Sequence, residues 1–221
     1  MSPPSEARTL RAVFFDAVDT LIHPVPPALE VYSVIGAKFG HFLNAEIIRR
    51  RFWQAFQLQD QEDLRNNWAT SEEREVRRWR EIVSHVFDDR SDELFRTLWQ
   101  HFAESAAWAL RPDTCPLLAQ LSQRKLTLGL ASNFDRRLHI VAAGFPELVP
   151  LRLQLTSSEI GWRKPSPRFF DALVQAAKCD PQQILYVGDD SANDYVGAVA
   201  AGLQAFLLDA NVSLRELLAT I

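Results

Sequence analysis

Ala12-Val13-Phe14-Phe15-Asp16-Ala17-Val18-Asp19-Thr20-Leu21 decides how this chain folds. Four apolar residues run without alternation and stop at an acid. Such a run reads as a strand buried on both faces of a parallel sheet, which delivers Asp16 to the sheet's carboxyl edge, where α/β active sites lie. A second acid, Asp19, and a threonine follow within four residues.

Downstream, the same pattern returns. Residues 126–131 form an apolar strand that ends at Ser132-Asn133. Leu151, Leu153 and Leu155 alternate with polar residues, as in a short strand. Residues 184–187 end at Gly188-Asp189, and residues 205–208 make a further strand. Helical patterns at 115–123, 136–143, 167–178 and 194–201 separate them. Strands alternating with helices predict an α/β fold, a Rossmann-like doubly wound parallel sheet.

Between Pro24 and Trp108 the pattern reads as helices only. Helices are expected over 28–39, 44–61, from a Thr70/Glu73 capping box through Phe87, and over 92–107. This all-helical block is an inserted cap domain, residues 23–108, over a discontinuous core of residues 1–22 and 109–221. An insertion leaving from the carboxyl edge would lie over the crevice and exclude water.

Composition narrows the function. The 221 residues are 47% hydrophobic with a formal net charge of −4 and a pI near 5.8. No basic face is implied, so nucleic acid is not an expected partner. Arg49-Arg50-Arg51 and Arg77-Arg78 read as solvated helix faces. No apolar run approaches the roughly 20 residues needed to cross a bilayer, and the stretch from Met1 to Thr9 lacks an apolar signal core. Cys115 and Cys179 match no ligand or redox spacing. The expectation is a cytoplasmic protein, monomer or homodimer, with a small-molecule partner and neither nucleic acid nor membrane.

Charge then points to chemistry. Asp16, Asp189, Asp190 and Asp194 would crowd carboxylates into one site, and their repulsion calls for a cation. A hard divalent ion with oxygen ligands fits, and Mg2+ suits few carboxylates with room for phosphate. Ser132 and Asn133 stand at a strand-to-helix junction, which favours anions but equally makes a plain helix cap. Lys164 is one of only four lysines, held between Arg163 and the prolines 165 and 167. A point ammonium can pair with phosphate and a carboxylate.

Taken together, Asp16, the Leu128-Gly129-Leu130-Ala131-Ser132-Asn133 segment, Lys164 and Gly188-Asp189-Asp190-Ser191-Ala192-Asn193-Asp194 resemble, in order, the four motifs of the haloacid dehalogenase-like hydrolases with a helical cap. Ser132 to Leu138 and Gly161-Trp162 resemble in particular the domain-containing protein 3 group of that family. The resemblance implies a nucleophilic Asp16, a phosphate-binding set of Ser132, Asn133 and Lys164, and a Mg2+ site from Asp16, the Val18 carbonyl, Asp189, Asp190 and Asp194. It further implies phosphoryl transfer through an aspartyl phosphate, with Lys164 catalytic. Val18 departs from the pattern, because the family's phosphatases carry there an Asp that protonates the leaving group. Asp19, standing where the family has Gly, is the replacement candidate. Three readings stay open: a phosphatase with altered proton handling, a dehalogenase- or phosphonatase-like C–X or C–P hydrolase, and a phosphate- or protein-binding module.

Overall fold

The computed structural model of the chain describes residues 9–209, 212 and 214–220; the polar start of the chain, through residue 8, lies outside the described residues. The strands in chain order are β1 Ala12–Phe15, β2 Ile22–Pro24, β3 Trp108–Leu110, β4 Thr127–Ser132, β5 Leu153–Thr156, β6 Ile184–Gly188 and β7 Gln204–Leu207. Five of them form one parallel sheet in the order β5-β4-β1-β6-β7. β1 is central and wholly buried, which explains its unbroken apolar run: both faces are covered, so neither can be polar.

Ten helices accompany the described strands: α1 Ala28–Lys38, α2 Ala45–Arg65, α3 Glu72–Phe87, α4 Asp92–His101, α5 Thr114–Leu121, α6 Arg137–Ala143, α7 Ser157–Ile160, α8 Pro167–Ala177, α9 Gly197–Ala200 and α10 Leu214–Thr220. Successive residues of β1 feed opposite layers. Val13 and Phe15 pack with Leu117 and Leu121 of α5 and Leu138 and Val141 of α6. Phe14 packs with Phe169, Phe170 and Leu173 of α8 and Ala198 of α9. Phe14 also leans on Gly129 of β4, where a Cβ would stand 2.4 Å from its ring. The sheet is thus covered on both faces, as its sequence pattern predicts. No helix among the described residues is long and apolar enough to cross a membrane.

Helices α1 to α4 pack around a separate apolar cluster that includes Tyr32, Ile48, Phe52, Ile82, Phe87 and Leu94. Four expectations are corrected here. The expected capping box at Thr70 does not form: Ser71 is the N-cap of α3, accepting from the Arg74 amide, while the Thr70 hydroxyl donates to Glu75. α4 ends at His101 rather than near 107, and Trp108 belongs to a strand. The insertion is also not helical throughout, since β2 and β3 pair antiparallel where the chain leaves and re-enters the core, His23 facing Ala109. Three-residue strands are too short to display a period, so only the pairing reveals them. The helix expected over 194–201 starts earlier, as a wider π-wound turn over Ser191–Val196 that runs into α9.

Candidate active site

Register brings the strand ends together. Phe15 is paired with Leu130 of β4 and Val187 of β6, so the next residues, Asp16, Ala131 and Gly188, come level at the carboxyl edge. Asp16 is anchored there by its backbone amide, which donates to the Val187 carbonyl at 2.8 Å. Ser132 and Asp189 stand one residue further on.

Lys164 joins the set from the loop before α8. Its ammonium donates to Asp16 Oδ1 at 2.6 Å, to Asp194 Oδ1 at 2.6 Å and to the Tyr186 hydroxyl at 2.9 Å. Tyr186 in turn donates to the Ala131 carbonyl at 2.6 Å. Lys164 is only 3% exposed. Burial alone would push its pKa down, but the Asp16 and Asp194 carboxylates outweigh that and hold it well above the ordinary value. It is therefore a fixed positive charge at neutral pH.

The carboxylates feel the opposite pressure. Burial pushes Asp16 above the ordinary carboxylate range; Lys164 and a Ser132 hydrogen bond pull it back, and Asp189 pushes it up again. Burial, followed by the charge of Asp194, raises Asp189 to about 6, against the Thr20 hydroxyl that donates to it at 3.1 Å. Asp194 is raised by burial and by Asp16, against Lys164. Gly188 is obligatory in this arrangement, because a Cβ there would stand 2.1 Å from Asp194 Oδ2.

Asp16, Asp189 and Asp194 each offer an oxygen within 4.8 Å of the others'. Three hard oxygen donors that repel one another fit a small divalent cation, and Mg2+ takes such ligands. Asp190 does not join them. Its carboxylate accepts from the amides of Ala192 and Asn193 and from the Asn193 side chain, capping the π-wound turn. Its own backbone amide donates to Asp194 Oδ2 at 3.0 Å, which helps fix that carboxylate.

Asn133 is likewise turned to positioning. Its side-chain oxygen accepts from the Lys164 amide at 2.8 Å and its amide nitrogen donates to the Lys164 carbonyl at 3.1 Å. Ser132 is buried and lines the crevice beside Asp16. Val18 and Asp19 line it too. Asp19 is exposed, has a left-handed backbone (φ 57°), and stands near enough to raise the Asp189 pKa.

Four participants escaped the sequence reading. Tyr186 looks like a core residue in the run 184–187, and Thr20 like an ordinary strand-end residue. Arg163 is buried and forms an ion pair with Glu75 of the helical insertion, while burial pressure that would raise Glu75 is overcome by Arg163, so Glu75 sits below the ordinary range. His23 lines the crevice with a buried Nδ1 that has no hydrogen-bond partner. Only the lone polar residue within an apolar run could have signalled Tyr186 and His23.

Comparison with known proteins follows the same lines. A family model described as haloacid dehalogenase-like hydrolase matches residues 10–202. Haloacid dehalogenase-like hydrolase domain-containing protein 3 of Homo sapiens is 27% identical over 207 residues, covering 90% of this chain and 82% of that protein. Ribulose-1,5-bisphosphate 5-phosphatase of Halopiger xanaduensis is 28% identical over 212 residues, covering 90% and 84%. Among solved structures, a dehalogenase crystallised as an intermediate complex superposes with a TM-score of 0.74 at 18% identity, covering 96% of this chain and 97% of that one.

Proposed function

The chain belongs to the haloacid dehalogenase-like hydrolase family, and from that membership we propose that it is a Mg2+-dependent phosphatase of a small phosphorylated molecule, with Asp16 as nucleophile. The observation that carries this reading is Lys164, whose ammonium contacts Asp16 and Asp194 at 2.6 Å inside a cluster of three carboxylates. A site with one fixed cation and room for a second is built for a group as anionic as phosphate. The phosphatase relative in Halopiger xanaduensis adds support. We read residues 23–108 as the cap and residues 1–22 and 109–221 as the core.

In this reading an oxygen of Asp16 attacks phosphorus, the P–O ester bond breaks, and the alcohol leaves. Water then attacks the aspartyl phosphate, the Asp16–phosphorus bond breaks, and phosphate and the free carboxylate are restored. Asp16, Asp189 and Asp194 would hold Mg2+, which when bound supplies positive charge against the phosphoryl oxygens. Lys164 holds its proton throughout and stabilises charge on the transferring group. The Ser132 hydroxyl donates to the phosphoryl oxygens. Asn133 positions Lys164 through its backbone, and Asp190 positions Asp194. Val18 can move no proton, so Asp19 is the proposed donor to the leaving group and then takes the proton of the attacking water, which restores it. The phosphonatase reading asks for a cap lysine; Lys38, at the end of α1, does not line the cavity.

Asp16→Asn tests the nucleophile. Turnover of p-nitrophenyl phosphate should fall roughly 10³-fold or more, while calorimetry still detects Mg2+ and phosphate binding. Undiminished turnover would overturn the assignment.

A further inference from the structure

The space before Asp16 is far larger than a phosphoryl group. It opens into a cavity of about 980 Å³ between the sheet edge and the helical insertion, at the upper end of what small-molecule sites occupy. Aromatic rings line it as one connected series. Phe134, two residues past Ser132, lies 6.0 Å from Trp108, which lies 6.1 Å from Phe102. Tyr32 and Phe52 link Phe102 to Trp53; Trp53 and Phe56 are 5.7 Å apart, and Trp79 stands 6.4 Å from Phe56.

Several charges in these walls are matched, while Glu30 and Arg49 line the cavity as exposed groups. Arg137 lies 3.3 Å from the centre of the Trp99 ring and is held by both oxygens of Asp135. Asp60 is paired with Arg78, and Glu75 with Arg163. What remains for a ligand beyond the phosphate end is largely flat aromatic surface, with Ser33, Glu30 and Arg49 as the polar groups among it; the unpartnered Nδ1 of His23 is itself buried. Trp68 also faces the cavity with φ 63°, its carbonyl held by the Arg163 amide at 2.8 Å. A bulky aromatic in that backbone region is uncommon, and such outliers gather at binding sites.

We infer that the phosphate monoester handled here carries an aromatic group, seated against these rings. The inference rests on the phosphatase reading for the phosphate end and on the cavity for the rest. A sugar or glycerol phosphate would leave the rings without a partner; a ring would bury its faces against them.

Two monoesters of ordinary primary alcohols separate the cases: 2-(2-naphthyl)ethyl phosphate and glycerol 3-phosphate, assayed with Mg2+. The naphthyl ester should show kcat/KM higher by roughly 10- to 100-fold. Trp53→Ala, a half-exposed wall residue, should erase several-fold of that preference through KM and leave glycerol 3-phosphate turnover unchanged; Phe134→Leu should act in the same direction. Equal kcat/KM values, or a preference for glycerol 3-phosphate, would overturn the inference and leave the phosphatase reading standing. If neither ester is hydrolysed, turnover of p-nitrophenyl phosphate, whose leaving group needs no acid, decides the phosphatase reading, and quenching of the six tryptophans decides the cavity alone. Tenfold tighter binding of the naphthyl ester than of glycerol 3-phosphate would support the aromatic site, and equal binding would overturn it.

Discussion

Val18 is where the family pattern and this chain part. It is half-buried, packs against the core cluster, and lines the cavity beside Asp16. A side chain without a proton leaves expulsion of a basic alcohol to Asp19, one residue out of the family's position, and full assistance is typically worth about 10² to 10⁴ in rate. Val18→Asp should therefore raise kcat on an alkyl phosphate by up to about that factor while changing p-nitrophenyl phosphate turnover little, because nitrophenolate leaves without help. The ratio of the two kcat values is the readout, and a ratio unchanged by the substitution would mean that another group already donates the proton. Asp16, Ser132, Lys164 and Asp189 could be singled out beforehand because each stands at a strand end or in a stiffened loop, and Asp194 because it completes the acidic run that follows β6. Asp190 and Asn133 have the right residue type in the right motif, yet their hydrogen bonds aim them at the backbone of neighbours. Side-chain direction is not written in spacing.

Among the elements, α6, β5 and α7 are joined by one ring. His139 of α6 meets Gln154 of β5 at 3.1 Å and Glu159 of α7 at 2.7 Å. Burial would lower the His139 pKa, but the bonds to Glu159 and Gln154 and the charges of Glu159 and Glu72 raise it above 6.5; burial would raise Glu159, but His139 and Thr156 hold it below 4.5. A raised histidine stabilises the fold fully below its unfolded value and loses that contribution as pH climbs through the folded value. A depressed carboxylate contributes above its unfolded value and loses it as pH falls. The pair thus stabilises most between about pH 4.5 and 6.5. The Tm difference between the native chain and His139→Gln should be largest in that window and shrink above it; thermal melts across pH 5 to 9 check this, and a pH-independent difference would discount the ion pair. The helices themselves were legible from apolar spacing, whereas β2 and β3 were not, since three residues carry no period and their stability comes from pairing across the 83 residues between Pro24 and Trp108 only once the core has closed.

For the whole molecule, the decisive contact is between the helical insertion and the segment that carries Lys164. Arg163 pairs with Glu75 and approaches Asp63 at 3.5 Å, and Arg74 and Arg78 complete the buried group. The Thr70 amide donates to the Gly161 carbonyl, and the Ser158 hydroxyl donates to Glu72. Breaking a buried pair typically costs about 3–5 kcal/mol, less here because Asp63 still faces Arg163. Glu75→Gln should lower Tm by roughly 5–10 °C at 2–4 °C per kcal/mol and lower kcat as well, since Arg163 adjoins Lys164; thermal melts and kinetics on the same sample check both, and a stable variant with reduced kcat would separate positioning from folding. From the sequence alone followed the doubly wound sheet, the helical insertion and the order of the four motifs, because buried strands and amphipathic helices impose periods and because strand ends must share one edge. Only the tertiary structure decided which carboxylates face the cation site, which side chains fix Lys164, and that the crevice is walled by rings, because those outcomes depend on side-chain direction and on contacts between segments far apart in the chain, which no local pattern encodes.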